Sequence, residues 1–142
     1  MYTSITILLD NEKKYFEVGK EILDEINISS SLLKLSHHIS QISITKKFMV
    51  ITTDWQYPCN IDVYDWDGNH LWNIGEVIKD SDSHYSGCEL ITRSEAIKIA
   101  TSCSEDDFKE GHEFLSAICG AFLYIIDLDE KRLIYKSPGA KR

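Results

Sequence analysis

The feature that most constrains this chain is a hairpin pattern that occurs twice. In Ile61-Asp62-Val63-Tyr64-Asp65-Trp66-Asp67-Gly68-Asn69-His70-Leu71-Trp72-Asn73-Ile74, two alternating runs flank Asp67-Gly68-Asn69. Alternation with period two is what a half-buried strand needs, because successive side chains point to opposite faces of a sheet. Asp and Asn tolerate the left-handed backbone and Gly occupies it freely, so the middle reads as a tight turn. The order Asp, apolar, Asp, three polar or turn residues, Leu and a large apolar residue returns in Asp127-Leu128-Asp129-Glu130-Lys131-Arg132-Leu133-Ile134, within the stretch from Phe122 to Tyr135. Hairpins of this kind also build propeller blades. A closed ring needs at least four blades of ~40 residues each, more than 142 residues supply.

Further strand signals lie on the N-terminal side. Ser4–Leu9 runs through Asp10-Asn11 into Lys14–Val18, which predicts a first hairpin. Ile39–Ile44 and Phe48–Thr53 suit two strands with Lys46-Lys47 at the turn, the second strand buried on both faces. Helical signals are fewer. Glu21–Ile26 carries a short apolar stripe, and Arg93–Ala100 reads as a helix although Ile97 and Ile99 also fit a strand. The best candidate starts at Ser104, which can cap a helix whose first turn holds Glu105, Asp106 and Asp107 and whose stripe of Phe108, Leu115, Ala117 and Ile118 is broken by Gly111. The expected fold is mainly β within the α+β class, an antiparallel hairpin-rich sheet or sandwich with one or two short helices, formed by residues 1–142 as a single domain. No Pro/Gly/Ser-rich linker divides the chain, and Ser29-Ser30-Ser31 reads as a turn or cap.

Composition narrows the function classes. With 43% hydrophobic and 11% aromatic residues the chain can bury a core without staples. Cys59, Cys88, Cys103 and Cys119 include no C-x-x-C pair and are expected to be free thiols. The N-terminal stretch lacks a basic n-region, and no apolar run approaches the ~20 residues of a membrane span, so cytoplasmic residence without membrane association is the expectation. A formal charge of -8 argues against a nucleic-acid partner, which demands a basic face to neutralise phosphates. It favours a basic protein partner instead.

Catalytic and metal motifs are mostly missing. There is no nucleophile elbow, Walker loop, dinucleotide fingerprint or H-E-x-x-H; His112-Glu113 begins like the last, but Ser116 stands where the second His is needed. Asp65–Asn69 resembles a calcium loop only until it is counted out, because position six is His70 rather than Gly. No cofactor is therefore expected. A loop-built enzyme or ligand site around Asp54, His84 and Cys88 is the alternative, since His84 lies four positions before Cys88 and an imidazole can activate a thiol.

The acidic clusters carry the binding hypothesis. Asp80 and Asp82, with Glu105, Asp106 and Asp107, offer a negative surface for a cationic protein, and Trp55, Tyr57 and Tyr85 are candidate aromatic anchors. The bland alternative is a solvated loop and a capped helix start. Trp66 and Trp72 fall inside the hairpin pattern and read as packing residues.

The stretch Cys59-Asn60-Ile61 through Trp72-Asn73-Ile74 resembles a segment of small bacterial immunity proteins, in which an Asn precedes an alternating strand, a turn with Asp and Gly follows, and a Trp closes the return strand. Tyr124–Ile134 is similar to the closing hairpin of the same proteins, with Glu130 where a turn Gly is expected. The resemblance implies a non-enzymatic protein of a contact-dependent or polymorphic toxin system that binds a cognate toxin, here expected to be a basic nuclease, and neutralises it by occlusion. It assigns no contact residue.

Overall fold

The computed structural model describes residues 3–9, 12–18, 32–35, 39–65, 69–79 and 82–137. The strands are β1 (Thr3–Leu9), β2 (Glu12–Val18), β3 (Leu32–Leu35), β4 (Ile39–Ile44), β5 (Met49–Thr53), β6 (Ile61–Tyr64), β7 (His70–Asn73), β8 (Gly87–Ile91), β9 (Phe114–Cys119), β10 (Phe122–Asp127) and β11 (Arg132–Lys136). One α-helix, α1 (Arg93–Ile99), and 3-10 turns at Ile74–Glu76 and Glu105–Asp107 complete the described elements. The fold is mainly β, as the hairpin pattern predicts. The chain forms two compact units, Met1–Asp54 with Ile61–Trp72, and Trp55–Asn60 with Asn73–Arg142.

In the first unit β1 and β2 form the expected antiparallel hairpin, with Thr3 opposite Val18 and Leu9 opposite Glu12. β3 adds to the other side of β1 in parallel, Thr6 opposite Leu32. This parallel pair departs from the antiparallel expectation, because short apolar runs do not state the direction of a partner far along the chain. The strands β4, β5, β6 and β7 form a four-stranded sheet in chain order. β5 is inner, and all five of its residues are buried, with Met49, Val50 and Ile51 fully inaccessible. The turn between β4 and β5 places Lys46 and Lys47 in solvent, while Thr45 Oγ1 accepts from the Phe48 amide at 2.8 Å. Across β6 and β7, Asp65 closes the turn: its carboxylate accepts from the Asn69 amide at 2.9 Å and from Asn69 Nδ2 at 3.1 Å. Residues 66–68, including Trp66, lie outside the described residues, as does the expected helix at Glu21–Ile26. Trp72 is buried.

The second unit repeats the plan with a four-stranded antiparallel sheet in the order β11-β10-β9-β8. Its outer hairpin, β10 with β11, is the second copy of the sequence pattern, and Asp127 takes the role of Asp65 by accepting from the Glu130 amide at 2.9 Å. No Gly occupies this turn; Lys131 instead adopts the left-handed conformation, with φ 55°. α1 forms where the second helical reading put it. Thr92 caps it and exchanges hydrogen bonds with Glu95, whose side chain accepts from the Thr92 amide. Ala96 and Ala100 then pack against Ile91, Phe108, Phe114 and Ile125.

The helix expected from Ser104 to Ile118 does not form. Ser104 does cap, but it caps a single 3-10 turn, Glu105–Asp107. Gly111 adopts φ +79° and ends the turn region, and Phe114–Cys119 is β9, paired with β8 on one side and β10 on the other. Phe114, Leu115, Ser116 and Ala117 are all buried, which is the signature of a strand covered on both faces and blurs any one-sided stripe. Among the described residues no helix is long and apolar enough to cross a membrane.

Candidate partner-binding surface

In the second unit a loop of residues 55–60 is fastened to the segment that leads into β8. Asn60 supplies the main fastening: its Nδ2 donates to the Tyr85 carbonyl at 2.8 Å and its Oδ1 accepts from the Tyr85 amide at 2.8 Å. A side-chain amide thus imitates a strand partner at a place where both segments are buried, Asn60 at 2% and Tyr85 at 1% exposure. Cys59 N donates to the Ser83 carbonyl and its own carbonyl accepts from Asn73 Nδ2, both at 2.8 Å. His84 donates from Nδ1 to the Trp55 carbonyl at 2.8 Å. Gly75 lies close to this closure, where a Cβ would stand 3.0 Å from Cys59 Sγ and press on it.

What the loop holds out is aromatic. Trp55 is 64% exposed and Tyr57 43%. Large aromatics in water on a loop whose backbone is already fixed are unusual for packing and suited to binding, since less ordering entropy is lost on association. The same segment meets a second apolar edge, because the Ser86 amide donates to the Ile118 carbonyl at 3.0 Å. Ile118 and Phe122, 44% and 36% exposed, flank the Gly120 turn of the β9–β10 hairpin, and Lys136 Nζ lies 4.4 Å over the Phe122 ring. The sequence reading missed Ile118 and Phe122, having assigned Ile118 to a helix. The composition of Ile118-Cys-Gly-Ala-Phe122, an apolar turn, was the available signal.

The residues expected to bind a partner are distributed unevenly. Trp55 and Tyr57 are exposed, and Asp82 is exposed on the same fastened segment. Asp80 lies outside the described residues. Tyr85 corrects the expectation: it is a core residue, edge-on to Tyr124 with ring centroids 6.2 Å apart, and burial drives its hydroxyl pKa well above the ordinary tyrosine value. Glu105 and Asp106 are exposed on the 3-10 turn, but Asp107 is half-buried and spends Oδ2 on the Ser104 amide at 3.1 Å. The turn is held from the α1 side, where Arg93 donates to the carbonyls of Phe108 and Glu105. Of the three acids, Asp107 therefore does capping work, while Glu105 and Asp106 face solvent.

The alternative constellation takes its residues from both units. Asp54 belongs to the first unit, His84 and Cys88 to the second. His84 commits Nδ1 to a backbone carbonyl, and Cys88 is a buried β8 residue opposite Ala117. All four cysteines are free thiols. A cluster that sequence reasoning passed over does converge: His112, Asp127 and Asp129 present donor atoms within 4.8 Å of one another.

Set against protein-family models, curated proteins and solved structures, the chain matches none of them.

Proposed function

We propose that this chain is a non-catalytic binding protein, an immunity protein that neutralises a basic protein toxin by covering its working surface. The observation that carries this reading is the pair of exposed aromatics, Trp55 and Tyr57, on a loop whose backbone is fixed by Asn60, Cys59 and His84. Such anchors carry a large share of the energy in protein interfaces when they enter a partner pocket. The charge of -8 supports a cationic partner, since long-range attraction raises the encounter rate with a positive surface. The resemblance of the Cys59–Ile74 segment to immunity proteins supplies the class of partner, a toxin, with a nuclease fitting the charge best.

The test starts from the coding sequence next to this one. A large secreted protein with a variable C-terminal domain is expected there, and that domain should arrest growth unless this chain is co-expressed. Purified, the two should form a complex with undetectable turnover of ester, phosphate or nucleotide substrates by this chain. Replacing Trp55 and Tyr57 by Ala should weaken the complex by at least tenfold each and abolish protection. Full protection by the doubly substituted chain, or substrate hydrolysis abolished by His84→Ala or Cys88→Ala, refutes the reading.

A further inference from the structure

His112 and Glu113 drew attention in the sequence as the start of a metal motif whose second half is missing. In the fold the partners of His112 come instead from the β10–β11 turn. His112 Nδ1 lies 2.7 Å from Asp127 Oδ2, and the Glu113 amide donates to Asp129 Oδ2 at 2.7 Å. The Leu128 amide donates to the Glu113 carbonyl at 2.8 Å, so the approach to β9 and the turn after β10 are stitched side by side. Donor atoms of His112, Asp127 and Asp129 consequently stand within 4.8 Å of one another.

Two further observations concern charge. Asp127 is wholly inaccessible, and among the described residues its carboxylate meets the His112 ring and one backbone amide, with no Lys or Arg in ion-pair reach. Lys109 and Arg132, the nearby cations, both pair with Glu130. Glu113, beside His112, also buries a carboxylate oxygen, Oε2, that has no hydrogen-bond partner. Buried carboxylates are costly unless a compensating charge sits with them, and for Asp127 that partner is the His112 ring, which also lies 4.0 Å from Glu130 Oε1.

We propose that His112, Asp127 and Asp129 bind one divalent transition-metal ion, of the kind that accepts mixed imidazole and carboxylate donors, such as Mn²⁺ or Zn²⁺. One nitrogen and two carboxylates leave coordination positions for water. With metal–ligand bonds of about 2.0–2.2 Å, neighbouring donors stand roughly 3.0–3.5 Å apart, so the 2.7 Å His112–Asp127 contact opens by about 0.3–0.8 Å as the ring proton moves to Nε2, and donors near the 4.8 Å limit draw closer. The ion clamps the β10–β11 turn to the start of β9, independently of any toxin.

Mn²⁺ is the probe of choice, because the four free thiols compete for Zn²⁺ and have little affinity for manganese. Titrating the full chain and counting free ion by electron paramagnetic resonance should show one Mn²⁺ bound per chain, with a rise in the thermal midpoint. His112→Gln and Asp129→Asn, which keeps an acceptor for the Glu113 amide, should each weaken uptake at least tenfold and cancel the rise. Asp62→Asn, which disrupts the other His–Asp pair, that with His70 in the first unit, should leave both unchanged. Absence of uptake at millimolar Mn²⁺, or uptake unaltered in both cluster variants with folded circular-dichroism spectra, overturns the proposal.

Discussion

Replacing Asn60 by Ala isolates the side chain that holds the loop of residues 55–60 in place. The substitution removes both hydrogen bonds to the Tyr85 backbone, each 2.8 Å long, and leaves an amide and a carbonyl facing a methyl group. Tyr85 is 1% exposed, so water has little access to either group. An unsatisfied buried polar group costs about 1–3 kcal/mol, which puts the loss at roughly 2–4 kcal/mol once partial relaxation is allowed. For a chain of this length that is a fall of about 6–14 °C in the thermal midpoint. Asn60→Asp sharpens the test. The carboxylate still accepts from the Tyr85 amide but opposes the Tyr85 carbonyl, so at neutral pH it should cost at least as much as Ala, and part of the loss should return in acid. Urea titrations at 25 °C on the three proteins measure both effects. A loss under about 1 kcal/mol for Asn60→Ala would refute the claim that this bracket carries the loop, given the cost of an unmet buried group.

Trp55→Ala and Tyr57→Ala should each change the unfolding free energy from urea titration by no more than about 1 kcal/mol, because the two residues are 64% and 43% exposed, while partner binding falls. Phe114→Ala removes an aromatic packed edge-on against Phe108 at 5.6 Å and should cost about 3–5 kcal/mol by the same titration. Tyr64 is pushed up to about 12 by burial first and by Asp62 second. Its contribution is therefore complete below the ordinary tyrosine value of about 10 and lost as pH rises through the folded value, so melts between these limits should fall more steeply in wild type than in Tyr64→Phe. Glu130 is shifted the other way, held below the usual carboxylate range by the Lys109 side chain. Its share is present above the unfolded carboxylate value and disappears as pH falls through the lowered one; Glu130→Gln should flatten that acid limb.

How far the sequence declared this fold depends on whether the information was local. The hairpins at β1–β2, β4–β5, β6–β7 and β10–β11 were legible because turn residues and alternation lie within a dozen positions of each other. The two Asp-centred hairpins show the physics directly, since Asp65 and Asp127 each cap their turn although one turn contains Gly68 and the other uses Lys131 at φ 55°. α1 was legible as Arg93–Ala100, with Ile97 and Ile99 leaving a strand open, and the reciprocal cap between Thr92 and Glu95 settles it as a helix. The run Ser104–Ile118 misled for a reason of the same kind. Its cap was real, but Phe114-Leu-Ser-Ala is buried on both faces, and a two-faced strand has no stripe from which a period can be read.

The candidate surface around Trp55 and the His112 cluster were less legible because they are made by contacts between distant segments. Tyr85 sits in Ser83-His84-Tyr85-Ser86, polar company that reads as exposed loop, yet its backbone is held by Asn60, 25 positions away, and its ring packs on Tyr124. Trp55 and Tyr57 have similar polar neighbours but are exposed, so composition alone could not separate an exposed aromatic from a core one. The acidic run at Glu105–Asp107 was visible as charge, yet part of that charge satisfies the amide of Ser104. His112 lies 15 residues from Asp127, and only the pairing of β9 with β10 brings the two strand ends together. Charge and residue type in the sequence therefore named reactive groups, while the register of the sheet decided which of them meet.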